Sequence, residues 1–110
     1  MNDPEKYSIL YVGTDETVVE SFTFCPSVSV YQVENGYQAI RWLNTNPPPS
    51  AILAEAFGPG MSGFALYDEL MGNVKYQTLP FCLVDDLVST VDLTKALHTG
   101  MDDFFHKPIV

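Results

Sequence analysis

The chain alternates short, nearly continuous apolar runs with longer stretches whose apolar residues recur every three or four positions. The first run, Tyr7-Ser8-Ile9-Leu10-Tyr11-Val12, is rich in β-formers and stops at Gly13, as a buried strand feeding a turn does. Gly13-Thr14-Asp15 then offers N-cap chemistry to a short helix with Val18, Val19 and Phe22 on one face. Cys25-Pro26 is expected to end that helix, because proline disfavours a helical conformation in the residue before it. Ser27 to Val33, β-branched at alternate positions, predicts the second strand.

Asn35-Gly36 opens a second helix in which Ala39, Ile40 and Leu43 form an apolar stripe while Gln38, Arg41 and Asn44 face water. Trp42 flanks the stripe and reads as packing. Pro47-Pro48-Pro49 stops the helix and delivers the chain to a short strand, Ala51-Ile52-Leu53-Ala54, ending at Glu55. After the loop around Gly58-Pro59-Gly60, Ser62 caps a third helix carrying Leu66, Tyr67, Leu70, Met71 and Val74 at helical spacing. Pro80 introduces a fourth strand, Phe81-Cys82-Leu83-Val84, ending at Asp85-Asp86. Ser89 and Asp92 resemble a capping box for a fourth helix, which buries Leu93, Ala96 and Leu97 and closes at Gly100. Asp103-Phe104-Phe105-His106 forms a fifth short strand before Lys107-Pro108.

Five apolar strands separated by four helical patterns predict an α/β fold with a doubly wound parallel sheet, since right-handed crossovers place helices on both faces. Ligands of such sheets bind in the crevice at the carboxyl ends of the strands. That rule directs attention to Gly13, Thr14, Asp15, Glu55, Asp85, Asp86 and Lys107.

Composition narrows the function classes. With 110 residues, 46% of them hydrophobic and 17% charged, the chain is that of a single globular domain spanning 1–110. A net charge of −9, with five scattered Lys and Arg, argues against a nucleic-acid surface, which needs clustered cations to neutralise phosphates. No apolar run is long enough to span a bilayer, and the acidic start Met1-Asn2-Asp3-Pro4-Glu5 is unlike a signal peptide, so a cytoplasmic location without membrane contact is expected. Cys25 and Cys82 lack metal-type or redox-type spacing, and Cys82, inside an apolar run, is expected to be a buried reduced thiol. His98 and His106 have no spaced partner that would suggest a metal or catalytic site. The chain contains no glycine-rich phosphate loop.

Two segments carry a family resemblance: Glu55-Ala56-Phe57-Gly58-Pro59-Gly60-Met61-Ser62-Gly63 and Gly100-Met101-Asp102-Asp103-Phe104-Phe105-His106-Lys107-Pro108. In this order they resemble the phosphoacceptor loop and the terminal Lys-Pro loop of response-regulator receiver domains of bacterial two-component signalling. The likeness runs from about Tyr7 to Ile109. It implies a flavodoxin-like fold with strand order 2-1-3-4-5. Residue by residue, however, it implies a pocket that has lost most of its acids. The acidic pair that holds a divalent cation in the family falls on Gly13 and Thr14, leaving Asp15 beside them. The phosphoacceptor position holds Glu55, the hydroxyl switch position holds Asp85, and the aromatic switch position holds Phe104; Lys107 and Pro108 are retained. Phosphoryl transfer needs a cation and fixed positive charge on the equatorial oxygens and an acceptor placed in line, and these replacements damage both requirements.

The resemblance therefore implies a pseudo-receiver: not an enzyme, with no cofactor and no Mg2+, acting as a regulatory or protein-interaction module at the amino end of a larger bacterial protein. Two readings of Glu55 stay open at this point: a mimic of the phosphorylated aspartate reaching Lys107, or a drifted residue paired with Lys107 because a half-buried charge needs a partner. Two other functions also stay open, a phosphoacceptor using Asp15, Asp85 or Asp86, and a small-molecule binder in the same crevice. Receiver domains continue past the Lys-Pro loop into a fifth helix, whereas this sequence stops at Val110. The sheet face lacking that helix is expected to favour a homodimer, a protein partner or a fused output domain, unless the chain is an excised piece of a longer protein.

Overall fold

The computed structural model describes residues 7–22, 25–56, 60–85 and 103–106. Along the chain run β1 (Tyr7–Val12), α1 (Glu16–Ser21), β2 (Val28–Val33), α2 (Gly36–Thr45), β3 (Ala51–Glu55), α3 (Gly63–Met71), β4 (Phe81–Asp85) and β5 (Asp103–His106). The strands form one sheet in the order β2-β1-β3-β4-β5, with every pairing parallel. This is the flavodoxin-like strand order that the resemblance implied. The segment expected to form the fourth helix, together with Asp86, Lys107 and Pro108, lies outside the described residues.

Alternation along the strands sorts the core into two halves. Leu10 and Val12 of β1, Ile52 and Ala54 of β3, and Phe81 and Leu83 of β4 pack on one face beneath Ala39 and Leu43 of α2 and Leu66 and Leu70 of α3. Tyr11, Leu53 and Val84 point to the other face, where Val18 of α1 is buried and Val19 and Phe22 lie partly buried against them. Burying each such aliphatic side chain contributes roughly 1.5–3 kcal/mol against leaving it exposed. Tyr76 is buried below α2, its hydroxyl reaching the Leu43 carbonyl at 3.3 Å and Asn44 Oδ1 at 3.2 Å. Trp42 rests tilted against Tyr31, ring centroids 5.4 Å apart, as packing rather than a site.

The helix starts follow their side-chain caps. Asp15 accepts from the Thr17 N–H at 2.9 Å, Asn35 from the Gln38 N–H at 3.0 Å, and Ser62 from the Ala65 N–H at 3.2 Å. Two helix ends and the burial of one cysteine differ from the sequence expectation. Helix α1 stops at Ser21 with Phe22 as its C-cap, well before Cys25-Pro26, because a single turn of β-branched Thr17, Val18 and Val19 propagates weakly. Helix α3 closes at Gly72, so Val74 falls beyond it and is 83% exposed instead of continuing the apolar stripe. Cys82 is partly buried against the α1-side cluster, not fully enclosed.

Candidate functional site

Parallel register brings the ends of the strands level. Val12 pairs with Val33 and Ala54, and Glu55 with Val84, so Gly13, Glu55 and Asp85 stand at one carboxyl edge. The backbone of Asp85 pairs in turn with that of His106, and Leu83 with Phe104, placing the switch positions on the neighbouring strands of the same sheet. The Gly13 peptide is fixed from the β2 side, its N–H donating to the Val33 carbonyl at 2.8 Å and its carbonyl accepting from Gln32 Nε2 at 2.9 Å. On the other side of Glu55, the Ala56 N–H donates to the Val84 carbonyl at 2.9 Å.

At the centre of this edge is a side chain that sequence reasoning assigned only to the core. Tyr11 is fully buried, and its hydroxyl donates to Glu55 Oε2 at 2.9 Å while accepting from the Asp15 N–H at 3.1 Å. The phenol thus bridges the loop after β1 to the last residue of β3. The one available signal was chemical: a tyrosine in a buried strand must find a partner for its hydroxyl. That partner lies 44 residues away in sequence, which no local pattern reveals.

Gly13 explains how the phenol fits. A Cβ built there would lie 2.6 Å from the Tyr11 hydroxyl oxygen and would also collide with Glu55 Cγ. Its φ is not in the left-handed region, where only Gly60 is found among the described residues, so crowding and not backbone conformation is what a side chain would violate. Gly63, the first residue of α3, makes a second close approach: its Cβ would lie 2.5 Å from the Glu55 carbonyl oxygen.

The remaining predicted positions separate. Thr14 is exposed. Asp15 turns its carboxylate to α1, accepting from the Thr17 N–H and, at 2.6 Å, from Thr17 Oγ1. Glu55 is partly buried. Among the described residues no group of three or more His, Cys, Asp or Glu is arranged to hold a metal ion, and no helix is long and apolar enough to cross a membrane. The proposed Glu55 contact with Lys107 falls on a residue outside the description. A shallow hollow of about 540 Å³, between α2 and the end of α3, is lined by Ile40, Asp68, Val74 and Tyr76 among others and lies apart from this edge.

No family model matches the chain. Among curated proteins it is 25% identical over 111 residues to the sensor histidine kinase CheAY of Helicobacter pylori, covering 97% of this chain but only 14% of that protein. Among solved structures it is similar to the signal receiver domain of a signal transduction histidine kinase from Syntrophus aciditrophicus, with 30% identity, a TM-score of 0.79, and coverage of 94% of this chain and 80% of that one. It is also similar to the receiver domain of the Pseudomonas aeruginosa sensor histidine kinase PA1611, solved with a magnesium ion coordinated in its active-site cleft, at 24% identity and a TM-score of 0.79, covering 96% of this chain and 88% of that one.

Proposed function

The chain belongs to the receiver-domain family of two-component signalling, and we propose that within it this domain works without aspartyl phosphorylation, as a regulatory module whose output is a protein contact. The observation that carries the proposal is the Tyr11–Glu55 hydrogen bond lying across the volume that a side chain at position 13 would occupy. A magnesium-dependent phosphoacceptor needs several oxygen ligands around the cation and an acceptor oxygen free to attack in line. Here positions 13 and 14 supply no carboxylate, Asp15 is committed to capping α1, and Glu55 receives a hydrogen bond from a phenol. The described residues at this edge do not fit a magnesium ion like the one coordinated in the Pseudomonas relative. The partner is then a protein, separate or fused, and the domain is not itself an enzyme.

Intact mass after incubation with acetyl phosphate and Mg2+ tests this, run beside a receiver domain that does accept a phosphoryl group. The native protein is expected to stay unmodified while the control gains one group. A stoichiometric gain on the native protein overturns the proposal and sends the search to Asp15, Asp85 and Asp86 as acceptors.

A further inference from the structure

The strand order leaves β2 and β5 as the two edges of the sheet, and the two edges differ in charge. β5 is four residues long and begins and ends on the ionisable Asp103 and His106. β2 is six residues long, Val28-Ser29-Val30-Tyr31-Gln32-Val33, and holds no charge and no proline. Short length, charges and prolines are what keep an exposed edge from pairing with another chain, and β2 has none of these guards. Its outer backbone is open as well. On the inner side the Tyr7 and Gly13 N–H groups donate to the Ser27 and Val33 carbonyls, both at 2.8 Å. Backbone groups alternate sides along a parallel ladder, so those of Val28, Val30 and Gln32 face outward. The Val28 N–H turns to the Cys25 carbonyl at 3.0 Å, whereas among the described residues no hydrogen bond is made by the N–H of Val30 or of Gln32.

We infer that β2 is a self-association surface, pairing antiparallel with β2 of a second copy of this chain about a two-fold axis and extending one sheet through both copies. One register matches all the outward residues: Val30 lies opposite Val30 of the second copy, and Val28 opposite its Gln32. Each Val30 then exchanges both of its backbone bonds, and each Gln32 N–H reaches a Val28 carbonyl. The Gln32 side chain does not obstruct this, because its amide is held by the Gly13 carbonyl at 2.9 Å. On the α2 side the same register sets Tyr31, 47% exposed and backed by Trp42, opposite the small Ser29 of the second copy.

Charge favours this occupant and fixes its orientation. Two copies of net charge −9 repel wherever carboxylates face each other, and β2 is a strip without them. The nearest acid in sequence, Glu34, follows the strand directly. Parallel pairing would bring the two Glu34 residues to adjacent strands about 4.8 Å apart, whereas the antiparallel register separates them by about eight residues of strand, roughly 27 Å. That distance exceeds the screening length of about 8 Å at about 0.15 M salt.

Sedimentation equilibrium of the native chain in about 0.15 M NaCl, beside Tyr31→Lys and Val74→Lys, tests the pairing. Both substitutions change the net charge equally and replace an exposed apolar residue, but only the first lies on β2. The native chain and Val74→Lys are expected to reach twice the chain mass, and Tyr31→Lys to remain monomeric. A native chain that stays monomeric up to about 1 mM, or equal behaviour of the two variants, overturns the inference. Crosslinking then reads the register in a Cys25→Ser background. Positions 29 and 31 of opposite copies form a non-hydrogen-bonded pair with Cα atoms about 4.5 Å apart, within reach of a disulfide. Like positions of the two copies lie on the diagonal, about 7–8 Å apart, beyond that reach. Mixed Ser29→Cys and Tyr31→Cys chains are therefore expected to give a disulfide dimer under mild oxidation, and each variant alone to stay mostly uncrosslinked. No dimer in the mixture, or equal yields in all three samples, overturns the inference. Neither measurement depends on what the native protein does with acetyl phosphate, so failure here and failure of the phosphorylation-independent reading are told apart.

Discussion

At Gly63 two effects of opposite sign meet on one atom. Alanine is the better helix former, and at a helical position the exchange from glycine gains at most about 0.5–1 kcal/mol. The same methyl would sit 2.5 Å from the Glu55 carbonyl oxygen and 2.6 Å from Leu83 Cδ2. The leucine methyl can rotate away, but the carbonyl belongs to the last residue of β3 and cannot move without shifting Glu55 itself. Overpacking of this kind typically costs about 1–3 kcal/mol, so the steric loss exceeds the propensity gain. Gly63→Ala is accordingly expected to destabilise the protein by roughly 1–2 kcal/mol, measured as a lower urea midpoint at unchanged slope. A midpoint at or above that of the native protein would show that α3 relaxes away from the strand end and that the close approach is not fixed.

Caps and breaks at the level of whole elements were largely legible in the sequence. The β1 bounds, the Asn35 and Ser62 caps and the strand order follow from an apolar run, a side-chain acceptor and the rule for crossovers, each a local or topological signal. The misjudged ends have two causes: periodicity carried α3 past Gly72 to Val74, and reading Cys25-Pro26 as the stop carried α1 past Ser21. At the site, the carboxyl-edge position of Gly13, Glu55 and Asp85 was legible for the same topological reason, whereas the role of Tyr11 was not. An alternating apolar strand reads a buried tyrosine as core, and only tertiary contact tells what its hydroxyl meets. The strongest local signal, Asn35 at the start of α2, can be weighed directly. Its Oδ1 accepts from the Gln38 N–H, while Gln38 Oε1 accepts from the Glu34 N–H at 2.8 Å, so two otherwise orphaned donors are satisfied across the same turn. Asn35→Ala should cost about 1 kcal/mol and Asn35→Asp much less, since aspartate caps equally well. Equal losses for the two variants would mean that the amide acts through some contact other than the cap.

Across the whole molecule, charge acts where no single contact does. Fourteen acidic and five basic residues leave a net charge of −9 on a body whose radius of gyration is 13.7 Å. At about 0.01 M salt the screening length is roughly 30 Å, longer than that radius, so the carboxylates repel one another across the fold. At about 0.15 M it shrinks to roughly 8 Å, and only near neighbours still interact. Self-repulsion of a compact, highly charged chain is relieved on unfolding, so screening it favours the folded state. Salt also weakens favourable terms, such as the attraction of the Asp15 carboxylate to the start of α1, but that is short-ranged and reinforced by a direct hydrogen bond. The long-range repulsion should therefore dominate the response. Raising NaCl from about 0.01 to 0.15 M at neutral pH is expected to increase the urea midpoint, with most of the rise complete once the screening length falls below the molecular radius. A flat or falling midpoint would mean that the acidic groups are locally compensated, and that the charge of this domain is a property of its contact surface more than a strain on its fold.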